Sequence, residues 1–154
     1  MNTSRIIAIP GSLRANSSSM AVLRFIQGLL EGVVQYEIFS GLGAIAHFDD
    51  SIDPPAEVKD FRSLIRAADG VLICSPEYAF GVPGTLKNAI DWTVSSGEFV
   101  GKPVALITAA TNGVHAHASL LLTLGAISTV VPEGCALHLP FIRAKMDASW
   151  GAEG

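Results

Sequence analysis

Two stretches of this chain carry residue types that could do chemistry. One is Ser75–Trp92, SPEYAFGVPGTLKNAIDW; the other is Gly11–Ser19, GSLRANSSS. In the first, Pro76 removes a backbone donor, and Tyr78 and Phe80 put flat rings on a loop that would ordinarily be polar. Rings on a rigid backbone suit a flat ligand. In the second, the hydroxyls of Ser12, Ser17, Ser18 and Ser19 stand beside Arg14 just before a helical pattern. Unsatisfied N–H groups at a helix start and the helix dipole favour an anion there. Arg14 adds a permanent charge and a fork of donors that matches phosphate oxygens. A serine N-cap needs one hydroxyl, and this loop offers four with an arginine. The chemistry expected is phosphate binding at one loop and a flat ring system at the other.

The elements that must position these loops alternate. Apolar runs predict strands at about Arg5–Ile9, Gln35–Phe39, Gly70–Cys74, Lys102–Thr108 and Ala136–Phe141. Three- and four-residue spacing of apolar positions predicts helices at about Ser18–Glu31, Ala56–Ala68, Gly84–Ser95 and Val114–Leu124. Strand–helix alternation with short connections argues for a parallel sheet covered on both faces. Right-handed crossovers then give a doubly wound α/β fold of flavodoxin-like order 2-1-3-4-5. In that order the loops after the first and third strands meet at the topological switch point, and those are the two unusual loops. After Phe141 the chain runs IRAKMDASWGAEG, and no C-terminal helix of useful length is expected to cover the last part of the sheet.

At 154 residues, the expectation is one domain spanning 1–154. Hydrophobic residues make up 49% and charged residues 16%, a dry composition that suits a doubly covered sheet and further burial in an oligomer. A net charge of −4 gives no electrostatic case for nucleic acid or an acidic membrane. No apolar stretch approaches the roughly 18 residues of a membrane span, and the N-terminus enters a strand without a secretory pattern. Cys74 and Cys135 read as buried, reduced thiols of a cytoplasmic protein.

On GSLRANSSSMAVL at 11–23 and PEYAFGVPGTLKNAIDW at 76–92, the chain resembles the NADPH-dependent FMN reductase family, a flavodoxin-like group that includes quinone, azo-dye and chromate reductases. The resemblance implies bound FMN with NADPH or NADH as electron donor. It implies a phosphate grip at Ser12, Arg14, Ser17 and Ser19, and an isoalloxazine surface at Pro76, Glu77, Tyr78, Ala79 and Phe80. The loop after the fourth strand, from Ala109 through Thr111, Asn112 and Gly113, completes the implied pocket. Two positions depart from the family, which often has asparagine where Ser19 and Ala79 stand. The implied activity is hydride transfer from nicotinamide through FMN to a small acceptor by ping-pong kinetics. A homodimer or homotetramer is implied, with the helix from Pro83 bordering the dimer interface. A flavodoxin-like electron carrier and a flavin-free degenerate subunit remain as alternatives.

No catalytic side chain is required, because the cofactor carries the chemistry. Glu77 is expected to hold its loop by accepting backbone hydrogen bonds rather than to act as an acid or base. His115 and His117 open a helix with no third ligand beside them, so no metal site is expected. Asp49, Asp50 and Asp53 read as a solvated loop. No nucleophile elbow or Walker loop occurs.

Overall fold

The computed structural model of the chain describes residues 3–149. Strands β1 (Arg5–Pro10), β2 (Gln35–Ile38), β3 (Gly70–Ser75), β4 (Val104–Ala109) and β5 (Ala136–Leu139) form one sheet, ordered β2-β1-β3-β4-β5. Every neighbouring pair is parallel. Helices α1 (Ser18–Leu29), α2 (Ala56–Ala67), α3 (Gly84–Asp91), α4 (Val114–Ala126) and α5 (Ile142–Ser149) follow the strands in turn. Among the described residues, no helix is long and apolar enough to cross a membrane.

Period-two alternation sends successive strand residues to opposite faces. Ile7, Ile9, Ile73 and Leu106 meet Phe61 and Ile65 of α2, Leu86 and Ile90 of α3, and Leu120 and Leu124 of α4. On the other face, Ala8, Leu72, Cys74 and Ile107 meet Val22 and Leu23 of α1 and Ile142 of α5. Each large aliphatic side chain buried in this way stabilises the fold by about 1.5–3 kcal/mol relative to exposure. Central β3 is buried at every position, whereas edge strands β2 and β5 are not. The register aligns the carboxyl ends: Pro10 pairs with Cys74, Ser75 with Thr108, and Ala109 with Leu139. All the site loops therefore leave one edge of the sheet, side by side.

Strand order and parallel pairing agree with the sequence reading. Three details differ. The helix not expected at the C-terminus exists: α5 forms over eight residues. Arg143, Ala144, Lys145 and Met146 are good helix formers, and Ile142 and Met146, one turn apart, pack on the apolar sheet face. The third helix ends at Asp91 rather than near Ser95. There side chains take the carbonyls that another turn would use. Arg62 donates twice to the Trp92 carbonyl, at 2.8 and 2.6 Å, and Thr93 Oγ1 donates to Ile90 O at 2.7 Å. Cys74 is buried as read, but Cys135 is only half-buried; both are free thiols.

Ile142 is the residue that fastens α5, at 6% exposure. Ile142→Ala is expected to cost about 2 kcal/mol, the low end for a buried large-to-alanine change. Urea unfolding should show that loss, and hydrogen exchange should show it concentrated in residues 142–149.

Candidate functional site

The loop after β1 begins with a glycine for a steric reason. Gly11 N–H donates to Cys74 O at 2.8 Å, and a Cβ on Gly11 would come within 2.9 Å of Ser75 Oγ. The loop then delivers Ser17 as the N-cap of α1, its Oγ accepting from Met20 N–H at 3.1 Å. Helix geometry leaves further first-turn N–H groups without intrahelical partners. Ser12 Oγ accepts from Arg14 N–H and from Tyr78 OH, both at 3.3 Å, so its own hydrogen remains free to donate. Ser19 is buried, and its Oγ has no well-formed hydrogen bond among the described residues. Its polar neighbour there is the Cys74 thiol, which burial pushes up to about 12. Arg14 is exposed, and its guanidinium has no partner among the described residues.

The loop after β3 turns back on itself. Tyr78 and Gly81 exchange both backbone hydrogen bonds, at 3.0 and 2.8 Å, around Ala79 and Phe80. Both central residues have positive φ, 48° and 58°. A two-residue hairpin turn of this kind favours Asn-Gly; alanine and phenylalanine each carry about 1–2 kcal/mol of left-handed strain. Alanine at position 79 therefore carries a backbone cost. Phe80 is 70% exposed, and its ring meets His115 edge-on at 5.1 Å.

Glu77 ties this loop to α4. Its Oε1 accepts from Gly113 N–H at 3.1 Å, and its Oε2 accepts from Ala116 N–H at 3.0 Å. The carboxylate thereby satisfies orphan donors at a helix N-terminus, where negative charge is favoured. The Ala116 N–H bond is the largest cause holding the Glu77 carboxyl below its usual range; burial opposes it and the Gly113 N–H reinforces it. Gly113 itself has φ 88°, and a Cβ there would sit 3.0 Å from His138 Nε2 and 3.1 Å from Thr108 Cγ2.

Between these loops lies a cleft of about 400 Å³. Ser18, Glu77, Ala79 and Phe80 line one part of it, and Ala109, Ala110, Thr111 and Asn112 the other. Ser12, Arg14, Ser17, Ser19, Pro76, Tyr78 and Gly113 do not line this cleft. Ser12 and Tyr78 are joined by their hydrogen bond, and Gly113 lies behind the wall in the Glu77 bond. Ile142 and Arg143 complete the lining and were not expected from sequence. The available signal was the strand register, since the connection after β5 must leave the same sheet edge as the others. His115 and His117, two apart on a helix, diverge: one meets Phe80, the other Thr108 and His138. Among the described residues no group of three or more His, Cys, Asp or Glu could hold a metal.

Residues 4–143 match the NADPH-dependent FMN reductase family. The chain belongs to that family. Among members of the FMN reductase family, it is 38% identical over 109 residues to an NAD(P)H-dependent FMN reductase of Pseudomonas aeruginosa, a match covering 68% of this chain and 59% of that protein. An NADPH azoreductase of Bacillus sp. strain OY1-2 is 32% identical over 136 residues, covering 84% of this chain and 74% of that protein. Among solved structures, the flavoenzyme NAD(P)H:(acceptor) oxidoreductase FerB of Paracoccus denitrificans superposes with a TM-score of 0.78 at 29% identity, over 85% of this chain and 76% of that one. The chain thus spans about three fifths of the length of the first of these relatives and three quarters of the other two.

Because the folded-state pKa of Glu77 is lowered, its contribution is present above the ordinary carboxyl value of 4.5 and is lost as pH falls through the folded value. Glu77→Gln should therefore unfold more easily than the parent at pH 7, by about 1 kcal/mol. The difference should shrink towards pH 3, as urea midpoints at the two pH values will show.

Proposed function

We propose that this chain is an FMN-dependent NAD(P)H oxidoreductase acting on small electron acceptors: quinones, azo compounds, metal oxyanions or free flavin. The observation that carries the proposal is the Tyr78 OH to Ser12 Oγ bond, which ties the serine-rich loop to the turn whose Glu77, Ala79 and Phe80 line the cleft. The donor set fits a phosphate monoester. Ser12 and Ser17 keep hydroxyl hydrogens to give, and among the described residues the buried Ser19 hydroxyl has no well-formed bond and the Arg14 guanidinium no partner.

In this reading Ser12, Arg14, Ser17, Ser18 and Ser19 would hold the phosphate, with help from the first-turn N–H groups of α1. Residues Pro76–Phe80 and Ala109–Gly113 would flank the ring system. When bound, FMN supplies the capacity to take two electrons from a nicotinamide and give them to an acceptor. The side chains orient and desolvate; none needs to act as an acid or base. Glu77 suits that division of labour, since both its oxygens are engaged by backbone N–H groups and its lowered pKa keeps it ionised. One open cleft serving donor and acceptor in turn implies ping-pong kinetics. The reading takes residues 1–154 as one binding unit in the cytoplasm, supported by the single sheet and by the free thiols expected of a reducing compartment.

The test is spectroscopic. Purified protein loaded with FMN and freed of excess should retain flavin bands that bleach on anaerobic NADPH or NADH. Retained bands that do not bleach would make the protein a carrier instead, and no retained flavin would end the reading. Arg14→Ala should weaken FMN about tenfold or more, the value of a charge-assisted phosphate contact. Binding of riboflavin, which lacks the phosphate, should be unchanged by the same substitution.

The same proposal includes a homodimer or homotetramer. Its support is α4, which carries no Asp, Glu, Lys or Arg and exposes Val114 at 52% and Leu122 at 77%. An apolar helix face of this kind ordinarily packs against something. Leu122→Glu should reduce the mass measured by light scattering to that of the monomer while leaving the circular dichroism unchanged. An unchanged mass would remove α4 from the interface.

A further inference from the structure

We propose that His138, on edge strand β5, is a positioning residue for the cleft: its imidazole holds the Asn112–Gly113 peptide from the side opposite Glu77. His138 Nε2 lies 2.5 Å from Asn112 O. A carbonyl can only accept, so Nε2 carries the hydrogen of this bond. The same peptide's N–H, on Gly113, donates to Glu77 Oε1 at 3.1 Å. One peptide plane is thus gripped at its oxygen by β5 and at its nitrogen by the loop after β3. Hydrogen bonds at the two ends of a peptide polarise it in the same sense and reinforce each other.

The imidazole is itself held. The His117 ring lies against it with centroids 5.6 Å apart and planes inclined by 30°. His117 Nδ1 is 2.8 Å from the buried Thr108 Oγ1, which sets that ring's orientation. Burial, then the neighbouring His138, hold the His117 pKa below its ordinary value, so the stack is not a pair of cations near neutral pH. Gly113 leaves room for the contact, since a Cβ there would press within 3.0 Å of Nε2. Asn112 lines the cleft and His138 does not, so His138 acts through the peptide. Its influence on a cofactor rests on the flavin reading above; its influence on the loop does not.

Two measurements separate those dependences. Hydrogen exchange of residues 109–117 in the flavin-free protein should quicken in His138→Ala and return in His138→Gln, whose amide nitrogen reaches about as far as Nε2. The FMN dissociation constant should rise about tenfold in His138→Ala, the equivalent of one lost hydrogen bond, and fall back to within about twofold in His138→Gln. If His138→Ala does not fold, His138→Asn, polar but too short, takes its place. Parental exchange and affinity in the alanine variant would overturn the proposal. So would a glutamine variant as impaired as alanine, which would make the effect one of packing. If the parent holds no FMN, the flavin reading falls, and the exchange pattern alone decides for or against His138.

Discussion

A carboxylate on one loop holds the N-terminus of a helix that belongs to another. Glu77 receives the N–H groups of Gly113 and Ala116, and so joins the turn after β3 to the loop after β4. Parallel strands aligned at their carboxyl ends bring several loops to one edge, but adjacency alone leaves each loop free to move. The Glu77 grip sets the spacing of the two cleft walls. Tyr78 OH does the same on the other side, reaching Ser12 in the loop after β1. Two neighbouring residues therefore tie three loops into one surface. The helix dipole of α4 and the charge of Glu77 favour each other, so the arrangement gains from the electrostatics of ordinary helix capping.

Much of this was legible in the residues. The runs IIAI and VLIC read as buried strands, and alternation with amphipathic helices leaves few topologies. The meeting of the two distinctive loops followed from that topology. The C-terminal helix was not legible, because eight residues of mixed character carry almost no periodic signal. It is tertiary contact, through Ile142 and Met146, that decides its fate. The early end of α3 was hidden for a similar reason: the Trp92 carbonyl is claimed by Arg62, thirty positions earlier. Ile142 and Arg143 entered the cleft lining with α5, so the missed helix and the two missed lining residues are one error.

The turn at Ala79 and Phe80 illustrates a different limit. Neither residue has a side-chain reason to adopt positive φ, and a local reading would place the bend elsewhere. The surrounding structure imposes it: Glu77 is fixed on one side, Pro83 opens α3 on the other, and the chain must reverse between them. Strain that persists in this way clusters at ligand sites. Here it lifts the Phe80 ring out into solvent, against the edge of His115.

The position of β5 in the sheet has a consequence for how the cleft yields. This strand is four residues long and is bonded on one side only, to β4. The loop after β1, by contrast, springs from a strand with neighbours on both sides. Opening free energies fall towards edges and chain ends. The serine-rich loop leaves β1, inside the sheet, while the Asn112–Gly113 peptide of the far wall takes a hydrogen bond from His138 on β5, at the border. Loosening of that border strand would therefore reach the wall at Asn112 before it reached the loop that carries Ser12.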